Sequence, residues 1–123
     1  MRIERRYTSE TGGAYDGIEF RKALSEIRNP DGSVVFRLAD IEVPVSWSQV
    51  ACDVLAQKYF RKAGVPARLK RVAEEGVPEF LWRSVADDEA MGDIAPSART
   101  VSEHDSRQVF DRLAGTWTYW GWK

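Results

Sequence analysis

The segment PVSWSQVACDVLAQKYFRKAGVP, Pro44 to Pro66, carries its own start and stop signals, and they leave it little choice but to be a helix. Ser46 and Gln49 form a capping-box pattern: the hydroxyl accepts from the Gln49 N–H while the Gln49 side chain reaches back to the Ser46 N–H. Val45 and Val50 stand where a hydrophobic staple would close. Lys62, Ala63, Gly64, Val65 and Pro66 supply a cation in the last turn, a residue free to take positive φ and a ring that blocks continuation. That is a Schellman ending, with Val65 placed against Phe60. On a helical wheel Trp47, Val50, Ala51, Val54, Leu55, Ala56, Tyr59, Phe60 and Ala63 cover more than half the circumference, leaving Ser46, Asp53, Gln57 and Arg61 as a narrow polar stripe. A helix this apolar needs neighbours on two sides.

The neighbours follow from the flanking sequence. Ile18–Arg28 and Ser33–Leu38 read as strands around Asn29-Pro30-Asp31-Gly32, where Pro presets φ and Gly accepts the positive φ that re-enters the second strand. Val34, Phe36 and Leu38 share one face; Ala39-Asp40 allows a bend, and Ile41–Val43 extends or crosses the ribbon. A lone hairpin is marginal in water, so it must lie on a helix or on another domain. Met1–Gly17 reads as a mobile arm with at most one short strand at Ile3–Thr8. Ala67–Glu75 is predicted as a short helix ended by Gly76, Pro78 opens a further turn through Trp82, and Ala86–Ala98 is a surface connection. Thr100–Glu103, with Asp105 as the alternative start, caps a terminal helix. On that helix Val109, Leu113, Trp117 and Trp120 form one stripe, beside Phe110 and Ala114. Gly115 within it suggests a close helix crossing. The expected architecture is α+β: an N-terminal hairpin packed on a small bundle of three or so helices, residues 18–123 forming one domain behind the arm.

Composition removes several classes of function. A chain of 123 residues is enough for one domain with its own core. Lys plus Arg 18 against Asp plus Glu 19 leaves a net charge of −1, so nucleic acid is not the expected partner. The single cysteine, Cys52, excludes an intrachain disulfide and a multi-cysteine zinc site, and suits a reducing compartment. Neither an export leader nor a run long enough to span a membrane is evident, so the cytoplasm is the expected location and no membrane partner is expected.

Candidate chemistry is sparse. Cys52, mid-helix on the apolar side, reads as a buried small hydrophobe and not a nucleophile. His104, between Glu103 and Asp105, reads as solvated or capping. Glu74, Glu75, Asp87, Asp88 and Glu89 read as solvated faces. Lys58, Arg61, Lys62, Arg68, Lys70 and Arg71 form a basic stretch without an acid, interrupted by Tyr59 and Phe60. Ordinary solvated cations are the plainer reading, and the phosphate of a nucleotide or a nucleic-acid backbone is the alternative. Trp117, Tyr119, Trp120 and Trp122 could stack bases, but rings at helical spacing more often form core or an interdomain or partner surface. No catalytic, cofactor-binding or metal-ligating residue is assigned.

Three stretches, YDGIEFRKALSEIRNPDGSVVF (Tyr15–Phe36), WSQVACDVLAQKYFRKAGVP (Trp47–Pro66) and RQVFDRLAGTWTYWGWK (Arg107–Lys123), resemble the N-terminal region of vitamin B12-dependent, class II ribonucleotide reductases. The resemblance implies a part in reducing ribonucleotides to deoxyribonucleotides for DNA synthesis. In that family a cysteine thiyl radical, generated from adenosylcobalamin, acts in a ten-stranded α/β barrel that follows this region. None of the barrel cysteines, phosphate loops or C-terminal redox cysteines has a counterpart here, and Cys52 matches none of them. The expectation is therefore an accessory domain, inactive alone, binding no cofactor itself and partnered by the barrel in cis or in trans. The other readings are a stand-alone module for nucleotide, nucleic acid or a partner protein, and a self-associating homodimer.

Overall fold

The computed structural model describes residues 4–123. Two antiparallel strands, β1 (Phe20–Arg28) and β2 (Val34–Pro44), form the hairpin. Its tip is tied by Asn29 N–H to the Ser33 carbonyl at 2.8 Å and Gly32 N–H to the Asn29 carbonyl at 2.9 Å, with Gly32 at φ 87. The bend at Ala39-Asp40 is a β-bulge: Ala23 faces Ile41 and Ser25 faces Leu38, so β2 holds one residue more than β1. Asp40 takes the extra turn at φ 56, a conformation that Asp tolerates better than most side chains. The added residue changes the parity of the strand. Phe36 and Leu38 point coreward before the bulge, and Ile41 and Val43, both fully buried, do so after it.

The helix α1 (Gln49–Val54) continues as a wider π-helical turn, Leu55–Tyr59. Its cap is Ser48, whose hydroxyl accepts from Ala51 N–H at 3.3 Å, and not Ser46. With the start moved two residues on, Gln49 is too early to close a box. Its amide donates instead to the carbonyl of Leu24, the β1 residue left without a ladder partner at the bulge, at 2.7 Å. The staple is absent as well: Val45 and Val50 both face solvent. At the far end the Phe60 N–H bonds to the Leu55 carbonyl at 3.0 Å, and Phe60 is extended, so the helix stops before Gly64, whose φ of 79 belongs to the following loop. The wider turn rotates the chain less per residue, which delivers Phe60 to the core and leaves Tyr59 outside.

The anticipated polar stripe is not a solvent stripe. Asp53 accepts from the Ser25 hydroxyl at 2.7 Å and Gln57 donates to the same oxygen at 3.4 Å, while Ser25 is fully buried. The helix thus meets β1 along a hydrogen-bonded seam and turns Val50 and Val54 outward.

Residues 67–75 are not helical. Here β4 (Leu69–Arg71) pairs antiparallel with β5 (Ser84–Ala86), and β3 (Val65–Pro66) pairs with β6 (Thr100–Val101). ARLKRVAEE has good helix formers, but pairing of Leu69–Arg71 with a neighbouring strand overrides propensity. Pro78 opens a 3₁₀ turn, Glu79–Leu81, as expected, and a second covers Pro96–Ala98. The terminal helix α2 (Ser106–Trp122) starts at Asp105, the alternative cap. The Asp105 carboxylate accepts from the Arg107 N–H while the Gln108 side chain accepts from the Asp105 N–H. Thr100 is a strand residue instead. Among the described residues two α-helices, not three, therefore accompany the hairpin in this α+β fold.

The core lies where β1, β2, α1 and α2 converge: Ala23, Ile41, Val43, Cys52, Leu55, Ala56, Phe60 and Val109, flanked by Phe36, Leu38, Trp47 and Leu113. Among the described residues no helix crosses at Gly115: a Cβ there would meet nothing within 4 Å. Ile3, in the short strand expected at Ile3–Thr8, lies outside the described residues, and Glu4–Thr8 form no strand. The arm is anchored near its end: the Tyr15 hydroxyl donates to Asp111 at 2.7 Å, and the ring packs edge-on to Phe20 at 6.1 Å. Burial, then the bond to Asp111, raises the Tyr15 pKa well above its usual value.

Candidate functional site

The tryptophan-rich end of α2 splits into two faces. Tyr119 donates to both carboxylate oxygens of Glu74 at 2.9 Å, and the Trp122 indole N–H donates to the Gly76 carbonyl at 2.9 Å. Lys123 Nζ reaches Glu74 at 2.5 Å, so the last turn is clasped to the loop after β4. The Lys123 and Tyr119 hydrogen bonds lower the Glu74 pKa. Trp117 and Trp120 lie on the other side, 63% and 67% exposed, although they continue the stripe that Val109 and Leu113 bury two turns earlier. The four aromatic residues singled out by spacing are therefore two whose polar atoms are latched to the loop, Trp122 still 55% exposed, and two that face away from it.

Beneath them, two carboxylates secure α2 to the rest of the fold. Glu103, 3% exposed, accepts from the Arg61 N–H at 2.8 Å and from the Arg112 guanidinium at 3.0 Å and 3.3 Å. Arg112 also donates to the Tyr59 carbonyl at 2.9 Å, satisfying a carbonyl at the end of the π-helical turn. Sequence reading saw Glu103 only as a capping partner. Its true partners are 42 and nine residues away, and no local pattern reveals them.

The second carboxylate is Asp105, bonded by Arg107 at 2.7 Å to 3.0 Å, while Arg107 reaches Glu42 at 3.3 Å and stacks on Phe20 at 4.0 Å. Burial disfavours the charged carboxylate, but the Arg107 hydrogen bonds prevail and hold the pKa below the ordinary 3.8. A depressed folded-state value stabilises the fold above the ordinary pKa and is lost as pH falls through it. Asp105→Asn keeps a capping side chain and removes the charge. It is expected to lower the melting temperature at pH 7 and to shrink the difference from the parent chain as pH falls below about 4, read by thermal unfolding across pH.

The basic stretch does not form one surface element. Lys58 belongs to the π-helical turn, Arg61 and Lys62 to the extended segment after it, and Lys70 and Arg71 to β4, with Arg68 just before. Lys62 sits over the Phe36 ring at 5.2 Å, and Arg71 donates to the Glu79 carbonyl at 2.8 Å. All six side chains are exposed. Cys52 is fully buried, with the Arg21 guanidinium 3.6 Å from its sulfur. His104 is exposed and enters the fold through its backbone alone, its carbonyl accepting from Glu42 N–H and its N–H donating to Gln108. Among the described residues no group of three or more His, Cys, Asp or Glu side chains could hold a metal ion, and no helix is long and apolar enough to cross a membrane. A cleft of about 290 Å³ is lined by Val72, Ala73, Glu74, Arg83 and Tyr119.

These features define a small α+β region whose buried carboxylates serve its own packing and which leaves large apolar side chains uncovered alongside its exposed cations. The family model described as class II vitamin B12-dependent ribonucleotide reductase matches residues 21–123. Curated relatives named vitamin B12-dependent ribonucleotide reductase include those of Agrobacterium fabrum, 69% identical over 123 residues, and Bradyrhizobium diazoefficiens, 68% identical over 123 residues. Each alignment covers 100% of this chain and 10% of the relative. The protein of that name from Streptomyces avermitilis is 39% identical over 129 residues, covering 95% of this chain and 13% of its own length. The chain belongs to the class II vitamin B12-dependent ribonucleotide reductase family and corresponds to its N-terminal region. It spans about a tenth of the length of those relatives.

The family's cofactor does not fit the groups in this cleft. Its volume sits at the bottom of the range of about 300–1,000 Å³ for small-molecule sites, well short of a corrinoid. The one imidazole, His104, is exposed at the start of α2 and does not line the cleft.

Proposed function

We propose that this chain is the N-terminal accessory region of a B12-dependent ribonucleotide reductase, the enzyme that reduces ribonucleotides to deoxyribonucleotides, and that it contributes no reacting group of its own. Its partner is the catalytic barrel, and the cytoplasm is where it works. The observation that carries this reading is the pairing of family membership with the site chemistry. The only cysteine is sealed in the core, and the buried carboxylates among the described residues, Glu103 and Asp105, are committed to holding α2. A thiol in that position can neither reach a substrate nor exchange with a reductant. The reading is tested by titrating the isolated chain with adenosylcobalamin. The corrin absorption spectrum and the tryptophan emission are expected to stay unchanged after correction for absorption by the corrin, and a saturable one-to-one change in either would contradict it.

A further inference from the structure

We infer that a continuous apolar strip, from Val50 and Val54 of α1 through Trp47 and Phe110 to Trp117 and Trp120 of α2, is covered by apolar surface of the polypeptide that follows this region in the same molecule. The inference rests on the accessory reading and adds the surface and its occupant. Val50 is 72% exposed and Val54 47%, four residues apart and so on one side of α1. Trp47 precedes them and meets Phe110 of α2 edge-on, ring centroids 5.9 Å apart, which joins the two helices' outer faces. From Phe110 the face runs through exposed Ala114 to Trp117 and on to Trp120. The strip is the overflow of the core: α2 buries Val109 on the hairpin and Leu113 against the same cluster, and the same stripe then runs beyond the core.

An apolar face of this extent, with indoles at its centre, marks an interaction surface and not a chance exposure. The clasp supports this, because Tyr119, Trp122 and Lys123 fix the last turn of α2 to the loop at Glu74 and Gly76 and so hold Trp117 and Trp120 facing away from it. The relatives identify the occupant. This chain aligns with their N-terminal tenth, so about nine-tenths of each polypeptide follows the position of Lys123, a few residues beyond Trp120. Chain tethered that closely is present at an effective concentration on the order of millimolar, which a second copy at micromolar concentration does not match.

The test uses the full-length reductase polypeptide that carries this region. A photoreactive phenylalanine analogue replaces Val50 in one variant and Trp120 in another, and the irradiated protein is separated on a denaturing gel and mapped by mass spectrometry. Both positions are expected to give adducts of single-chain mass to peptides beyond residue 123. Adducts of doubled mass would assign the strip to a second copy, and a cis adduct from position 120 alone would break the strip into unrelated patches; either overturns the inference. Hydroxyl-radical footprinting of the unsubstituted protein gives a check that needs no variant. Trp117 and Trp120 should oxidise at least fivefold more slowly than in urea, and a rate within twofold of the unfolded chain overturns the inference. None of these outcomes bears on whether the region is catalytic, which is decided by turnover of the isolated chain.

Discussion

Replacing Ile41 with alanine is expected to lower the unfolding free energy by about 3 kcal/mol and the melting temperature by roughly 10 °C. Ile41 has no exposed surface and sits on the first coreward position after the bulge, opposite Ala23, where β2 meets α1 and α2. Truncation removes the transfer energy of three carbons and leaves a cavity that Ala23 and Val43 cannot fill, because both are held by the ladder. Val50→Ala is the matched control. It removes two carbons from a side chain already 72% in water and is expected to change stability by no more than about 0.5 kcal/mol in the isolated chain. Chemical denaturation of the two variants separates the face that builds the core from the face that does not, although both lie on apolar stripes in the sequence.

Glu103→Ala is the second large effect, expected to cost about 3 kcal/mol. The carboxylate satisfies the Arg61 N–H and the Arg112 guanidinium at once, and its own N–H bonds to the Arg61 carbonyl at 2.8 Å. Without it a backbone donor loses its partner, and a guanidinium that is only 24% exposed keeps only the Tyr59 carbonyl. Arg112→Met should cost less, because methionine keeps the aliphatic packing and leaves Glu103 its bond from the Arg61 backbone. In the double variant the costs should fall short of additive by more than about 1 kcal/mol, the sign of a direct pair. Additive costs would mean that Glu103 acts only through the backbone.

The parts of the fold that sequence made legible are those whose cause is local. Asn29-Pro30-Asp31-Gly32 makes its turn from its own residues, and the hairpin follows. The bend at Ala39-Asp40 was visible, but its consequence was not: a one-residue bulge moves the buried set from Phe36 and Leu38 to Ile41 and Val43. The α1 start was misplaced by two residues because Ser46 and Ser48 are both competent caps, and the seam with β1, a tertiary contact, decides between them. The same seam explains why Asp53 and Gln57 look solvent-facing on a wheel and are not. Residues 67–75 failed for the opposite reason, since local helix propensity lost to strand partners 13 to 17 residues away. At the candidate surface, spacing found all four aromatic residues. It could not separate Tyr119 and Trp122, whose polar atoms have partners, from Trp117 and Trp120, and it missed Val50 and Val54 because an outward apolar face looks the same as an inward one.

Turnover by the isolated chain is the most direct measurement. The purified region is incubated with adenosylcobalamin, a dithiol and ribonucleoside di- or triphosphates, and deoxyribonucleotide is quantified by chromatography. With its one thiol enclosed beneath Arg21 and no second cysteine to accept electrons, the chain should form none above the cofactor-free blank. Deoxyribonucleotide accumulating in proportion to the amount of this chain would contradict the assignment of the chemistry to the rest of the protein.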